Sequence, residues 1–155
     1  MTIEADTNNQ LRTGHIGLNV SNLDRSKEFY QAVFGFEIIS ESGDETRRFA
    51  FLGQNQEVLL TLWEQSTGRF ERNRSGLHHL AFRVAALDGL KDFEQRLQKL
   101  NVPLLYEGIV AHLEGAPSGG IFFEDPDGIR LEIFIPNGAQ AYPAPATSAP
   151  ACGFF

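Results

Sequence analysis

"HIGLNVSNLDRSKEFYQ" (residues 15–31) and "HLAFRVAALDGLKDFEQ" (residues 79–95) are one motif written twice, 64 positions apart. Seven of the seventeen positions are identical: His15/His79, Val20/Val84, Leu23/Leu87, Asp24/Asp88, Lys27/Lys91, Phe29/Phe93 and Gln31/Gln95. A repeat at that period is the signature of a duplicated supersecondary unit. Each copy opens on an alternating segment of strand length, followed by an Asp placed to cap a helix N-terminus. The first helix is expected to end near Gly35 and the second near Asn101, with Pro103 beyond it as a stop. Extended segments follow at 36–40, 47–52 and 57–63 in the first copy, and at 104–107, 109–113, 120–124 and 130–135 in the second. "DPDG" at 125–128 supplies the turn chemistry for a hairpin between the last two. The expected fold is α+β, built of two βαβββ modules.

The rest of the chain fits around that unit. With 155 residues and 42% hydrophobic side chains, it has material for one core and is thin for two domains. A formal charge of −7 and the lack of a basic stripe argue against a nucleic-acid partner, which needs clustered Lys and Arg. The short "RFERNR" at 69–74 reads as a solvated loop. Cys152 is the sole cysteine, so no intramolecular disulfide forms, and no N-terminal run is apolar enough for a signal peptide or a membrane span. A cytoplasmic protein without a membrane partner is expected. Residues 1–12 and the Pro/Ala-rich 137–155 read as tails, although the terminal "CGFF" invites docking on the protein's own surface or on a partner.

"GHIGLNVSNLDRSKEFYQAVFGFEII" (14–39), "GLHHLAFRV" (76–84) and "FFEDPDGIRLEIF" (122–134) resemble the vicinal oxygen chelate superfamily. That superfamily includes glyoxalase I, extradiol dioxygenases, fosfomycin-resistance thiol transferases, methylmalonyl-CoA epimerase and bleomycin-resistance proteins. The resemblance spans 13–136, as module one (13–63), a linker (64–76) and module two (77–136). It implies a barrel made of two modules, paired within the chain or across a homodimer. It also implies a divalent metal held by residues from the first and last strand of each module.

Strand parity indicates which side chains fill those four slots, because side chains alternate faces with a period of two. Ile16, Leu18 and Val20 form the apolar face that meets a helix, so His15, Gly17 and Asn19 point into the barrel. By the same reasoning His79, Ala81 and Arg83 point inward, and His78 lies outside the ligand set. In "RLEIF" (130–134), Leu131 and Ile133 take the helix side and leave Glu132 inside, where a carboxylate flanked by apolar residues is costly unless paired or metal-bound. "LLTLW" (59–63) puts Thr61 opposite Glu132, and a neutral hydroxyl is a poor ligand for a divalent ion. Glu57 and Glu64 do not replace it neatly.

The expected metal ligands are therefore His15, His79 and Glu132, a set that suits Fe(II), Mn(II), Zn(II), Ni(II) or Co(II) and leaves open positions. Thr61, Asn19, Arg83, Trp63 and Phe134 are expected to line the pocket. His112 reads first as a surface residue and second as a catalytic acid or base. Arg47 and Arg48 read as a solvated strand face. The function expected from the resemblance is a metal-dependent enzyme on a small oxygenated molecule, with dioxygenase or lyase-type chemistry. The rival is a metal-free protein that sequesters a drug or metabolite in the manner of the bleomycin-resistance relatives.

Overall fold

A computed structural model describes residues 9–146 and 148–155. The N-terminal tail expected at 1–12 therefore lies mostly outside the described residues. Two sheets carry the same strand order. The first contains β1 (Ile16–Val20), β2 (Glu37–Glu41), β3 (Phe49–Gln54) and β4 (Glu57–Glu64), ordered β1-β4-β3-β2. The second contains β5 (Leu80–Arg83), β6 (Val110–Ala111), β7 (Gly119–Glu124) and β8 (Arg130–Ile135), ordered β5-β8-β7-β6. Helices α1 (Leu23–Phe34) and α2 (Leu87–Lys99) follow the first strand of each. The first strand runs parallel to the last in both sheets, and the other pairs are antiparallel. The structure is thus α+β, with two βαβββ modules whose sheets do not join by strand pairing within one chain.

The helix starts differ from expectation. Asn22, not Asp24, caps α1, its side chain accepting from Arg25 N at 3.0 Å. Asp24 lies in the first turn and instead accepts a two-pronged contact from Arg48, at 2.9 Å for each oxygen. At the start of α2, Ala86 occupies the cap position and offers no side-chain bond. Gly35 ends α1 at φ 71°, in the left-handed region that a glycine enters without steric cost. In module two, the segment expected at 104–107 contributes only an isolated bridge from Leu104 to Phe123, and 109–113 shrinks to β6.

One apolar cluster joins the modules. Leu18, Val20, Leu60 and Leu62 of the first sheet and Ile121, Leu131 and Ile133 of the second are all buried in it. Phe34 of α1 connects the halves, its ring 4.7 Å from Phe82 and 6.2 Å from Phe123. Polar ties reinforce the contact: Tyr30 Oη donates to Asp125 Oδ2 at 2.9 Å, and Asp127 accepts from Ser21 N and Arg25 Nη2, each at 2.9 Å. Within the expected linker, Phe70 N donates to Asp127 O at 2.8 Å, and exposed Arg69 and Arg72 pair with Glu124.

The C-terminal segment folds back onto module two. Ala111 N donates to Pro143 O at 2.9 Å and Ala151 N to His112 O at 2.8 Å. A 3-10 turn over Ala151–Gly153 then places Cys152 and Phe155 against Val110, Phe122 and Tyr106. Proline prevents regular ladders here, and of the two docking places that the terminal "CGFF" invites, the protein's own surface is the one occupied. The structure shows that isolated backbone bonds and apolar side chains suffice to dock the segment.

Candidate metal centre

The face of the second sheet turned away from α2 carries the site. β5 and β8 run in register with Ala81 opposite Glu132, and β1 and β4 match them with Gly17 opposite Thr61. Glu132 and Thr61 are therefore equivalent positions of the two modules, and both are 2% exposed. In module two the slot holds a carboxylate. In module one Trp63 Nε1 donates to the Thr61 hydroxyl at 3.0 Å, closing that slot with a hydrogen bond.

Glu132 sits between two imidazoles. His112 Nε2 lies 2.5 Å from its Oε1 and His79 Nε2 lies 3.2 Å from its Oε2. His78 Nδ1 is 2.8 Å from His79 Nδ1; both residues precede β5 and both rings lie against Phe155, so His78 shares the side of His79 ahead of the strand and positions its ring. Burial holds the His79 pKa below the usual imidazole value; Glu132 opposes that shift, while His78 and Arg130 add to it. His112 is fixed on its other side by Ser118 Oγ, 2.8 Å from Nδ1. His112 is thus half-buried against the carboxylate rather than a surface residue. What sequence reasoning lacked was the register of the short β6–β7 hairpin, which carries His112 across to β8.

The docked C-terminus completes this cluster. Cys152 Sγ, a nitrogen of His112 and an oxygen of Glu132 all lie within 4.8 Å of one another. Burial, followed by the charge of Glu132, pushes the Cys152 thiol pKa up. The Phe155 ring lies 5.5 Å from that of His79 and 4.6 Å from Phe122, and Arg130 Nη1 donates to Phe155 O at 3.1 Å. Nothing in the periodicity of the Pro/Ala-rich segment pointed to Cys152 as a neighbour of Glu132.

The remaining expected residues are divided between the sheets. His15 is exposed, immediately before β1, and does not form a donor group with His79 and Glu132 within one chain. Asn19 is exposed and its Oδ1 accepts from Gln65 N at 3.0 Å. Trp63 packs with Phe49 and Phe51 into an aromatic patch on the open face of the first sheet. Beside it a cavity of about 350 Å³ is lined by Arg47, Arg48 and Trp63, so these arginines border a hollow rather than a plain strand face. On the second sheet, Phe134 places its ring 6.0 Å from His112, and Arg83 is exposed two residues beyond Ala81. The donors present suit a divalent ion: two imidazoles, a buried carboxylate and a thiol, in a pocket shielded by aromatic rings.

Comparison with known proteins bears on this geometry. The model of the Glyoxalase/Bleomycin resistance protein/Dioxygenase superfamily matches residues 12–133. The chain belongs to that superfamily. It is 28% identical over 124 residues to a trivalent organoarsenical cleaving enzyme of Bacillus sp., covering 80% of this chain and 73% of the relative. It is 32% identical over 119 residues to the metallothiol transferase FosB of Staphylococcus haemolyticus, covering 77% and 79%. A catechol-2,3-dioxygenase of Bacillus subtilis is 29% identical, but there the match spans only 40% of the relative. Among solved structures, a glyoxylase/bleomycin resistance protein/dioxygenase domain from Frankia sp. superposes with a TM-score of 0.69 at 25% identity, covering 81% of this chain and 98% of that one. The superfamily match covers both modules and all three expected ligands.

Proposed function

We propose that this protein is a divalent-metal-dependent enzyme acting on a small oxygenated molecule, by dioxygenase or lyase-type chemistry. The observation that carries the reading is Glu132: a carboxylate 2% exposed, on a strand face rather than at an end, with an imidazole nitrogen at each oxygen. A lone carboxylate there would be expelled or neutralised, whereas one facing a cation is stabilised. The printed functions of the relatives, an organoarsenical cleaving enzyme, a metallothiol transferase and a catechol dioxygenase, favour an enzyme over a passive binder.

His79 and Glu132 hold the ion from module two, and His15 reaches it from a second copy of the chain. The exposed position of His15 and the unjoined edges of the two sheets support a homodimer. When bound, such an ion supplies Lewis acidity, polarising paired oxygens of a substrate and leaving positions open for a second reactant. The chain's own residues do the rest. His112, hydrogen-bonded between Ser118 and Glu132, is positioned to hold or pass a proton. Arg83 offers a cation to an anionic substituent, while Phe134, Trp63, Thr61 and Asn19 form walls contributed by the two sheets. A single reduced thiol suits the cytoplasm.

The test is metal content by elemental analysis of protein purified without chelator, with anaerobic Fe(II), Mn(II) and Zn(II) titration and a Glu132→Ala control. One ion per chain, lost in the variant, supports the reading and directs a screen of catechols, epoxides and α-hydroxy ketones. No ion at micromolar metal overturns it and leaves ligand sequestration. For the shared site, a mixture of His15→Ala and Glu132→Ala chains should regain about one intact centre per mixed dimer; recovery of none would refute the exchange.

A further inference from the structure

We infer that the docked C-terminus makes Cys152 a metal ligand, and that His112, Glu132 and Cys152 form a thiolate-bearing site for a thiophilic divalent ion such as Zn(II) within one chain. The site shares Glu132 with the proposed centre. It needs neither His15, a second copy nor any reaction.

Three observations converge on it. The donor atoms lie within 4.8 Å of one another. A tetrahedral ion with Zn–S of about 2.3 Å and Zn–N and Zn–O of about 2.0–2.2 Å holds its donors roughly 3.3–3.6 Å apart. The 2.5 Å contact from His112 to Glu132 must therefore open by about 1 Å to admit the ion between the two donors.

The cysteine is also anchored on both sides. Before it, Ala151 is 2% exposed, with its N–H on His112 O and its carbonyl accepting from Tyr106 Oη at 2.9 Å. After it, the Phe155 ring lies against Phe122, and Arg130 Nη1 donates to Phe155 O. A thiol fixed in this way loses little freedom on coordination.

Finally, the chemistry of the set differs from that of the three-ligand centre. Replacing one imidazole by a thiolate shifts preference from Mn(II) and Fe(II) towards Zn(II). Coordination releases the thiol proton to solvent as the Sγ–metal bond forms, and His112 binds through a deprotonated Nε2, its remaining proton held on Nδ1 towards Ser118 Oγ, with no change of oxidation state. Ion binding and tail docking are therefore coupled: each stabilises the other.

Anaerobic Co(II) titration of the full chain reads the thiolate directly, through a sulfur-to-cobalt charge-transfer band in the near ultraviolet, with Zn(II) affinity obtained by competition. The wild type should show the band at one cobalt per chain. Cys152→Ser should abolish it and weaken Zn(II) by about tenfold or more, at least what losing an outer-shell partner costs. His15→Ala should keep both. Zn(II) should also protect Cys152 from alkylation in the unaltered chain, a readout independent of any variant's folding.

Cobalt bound in a Glu132-dependent manner without the band overturns this inference and leaves the proposed function standing. A band that survives His112→Ala with Glu132→Gln, or that appears at half an ion per chain, also overturns it, because Cys152 would then be bridging to another molecule. Loss of metal binding in His15→Ala but not in Cys152→Ser would assign the ion to the three-ligand set alone.

Discussion

Glu132 and Thr61 occupy the same ladder position of two copies of one module and do opposite things. In module one the hydroxyl is satisfied by its own neighbour Trp63, which packs with Phe49 and Phe51 into an aromatic patch on that sheet. In module two the carboxylate keeps two acceptor oxygens for imidazoles or an ion. Asp125 shows the cost of burying such a group without a cation. It accepts from Tyr30 Oη and from the backbone of Asp127 and Ile129, yet burial still raises its pKa to about 6. Tyr30→Phe removes one of those donors without changing the packing of the ring. The variant should lose about 1–3 kcal/mol in urea unfolding, the cost of leaving a buried polar group unpaired. A loss under a few tenths of a kcal/mol would mean that water replaces the hydroxyl.

Among the elements, the two helices have the same register and different caps. Asn22 satisfies an N-terminal donor of α1, so Asn22→Ala should cost about 1 kcal/mol in urea or thermal unfolding. Ala86 stands at the matching place before α2 with φ −148° and ψ 164°, the extended backbone a capping residue adopts, and makes no side-chain bond. Ala86→Asp should therefore stabilise by roughly 0.5–1 kcal/mol, since it adds a missing acceptor and places a negative charge at the positive end of the helix dipole. An unchanged midpoint would show that α2's start is already satisfied by solvent. β7 is constrained from the other side. A Cβ at Gly120 would meet Ile133 O at 2.6 Å, so the close approach of β7 to β8, which carries Glu132, requires glycine there.

At the scale of the whole molecule, the turn "DPDG" supplies polar contacts between the modules beside the shared apolar cluster. Asp125 receives Tyr30 and Asp127 receives Ser21 and Arg25, all from module one. The raised Asp125 pKa makes this contact pH-dependent. The folded carboxyl binds its proton more tightly than the unfolded chain does, whose pKa is near 3.8. Its contribution to stability is thus fully present below about pH 4 and is lost as pH rises towards about 6. Asp125→Asn keeps the acceptor for the two backbone donors and removes the titration. Urea unfolding of the variant should lack the fall in stability that the native chain shows between those pH values. Identical pH profiles would locate the titration elsewhere.

The duplication and the helix and strand order of module one are legible in the sequence alone, whereas in module two the expected segment 104–107 is only an isolated bridge and 109–113 only a two-residue strand. The legible part follows from local periodicity and from a repeat that needs no knowledge of distant contacts. That is why His79 and Glu132 could be singled out, and why Thr61 could be matched to the position of Glu132. Tertiary structure alone decided which donors meet. His112 reaches Glu132 through the β6–β7 hairpin, and Cys152 arrives by a tail whose prolines erase any periodic signal. His15 stays apart within one chain because parity fixes which face a side chain takes and says nothing of how two sheets are set against each other. Register along a strand is a local property, whereas the meeting of side chains from different elements depends on packing that only the folded chain resolves.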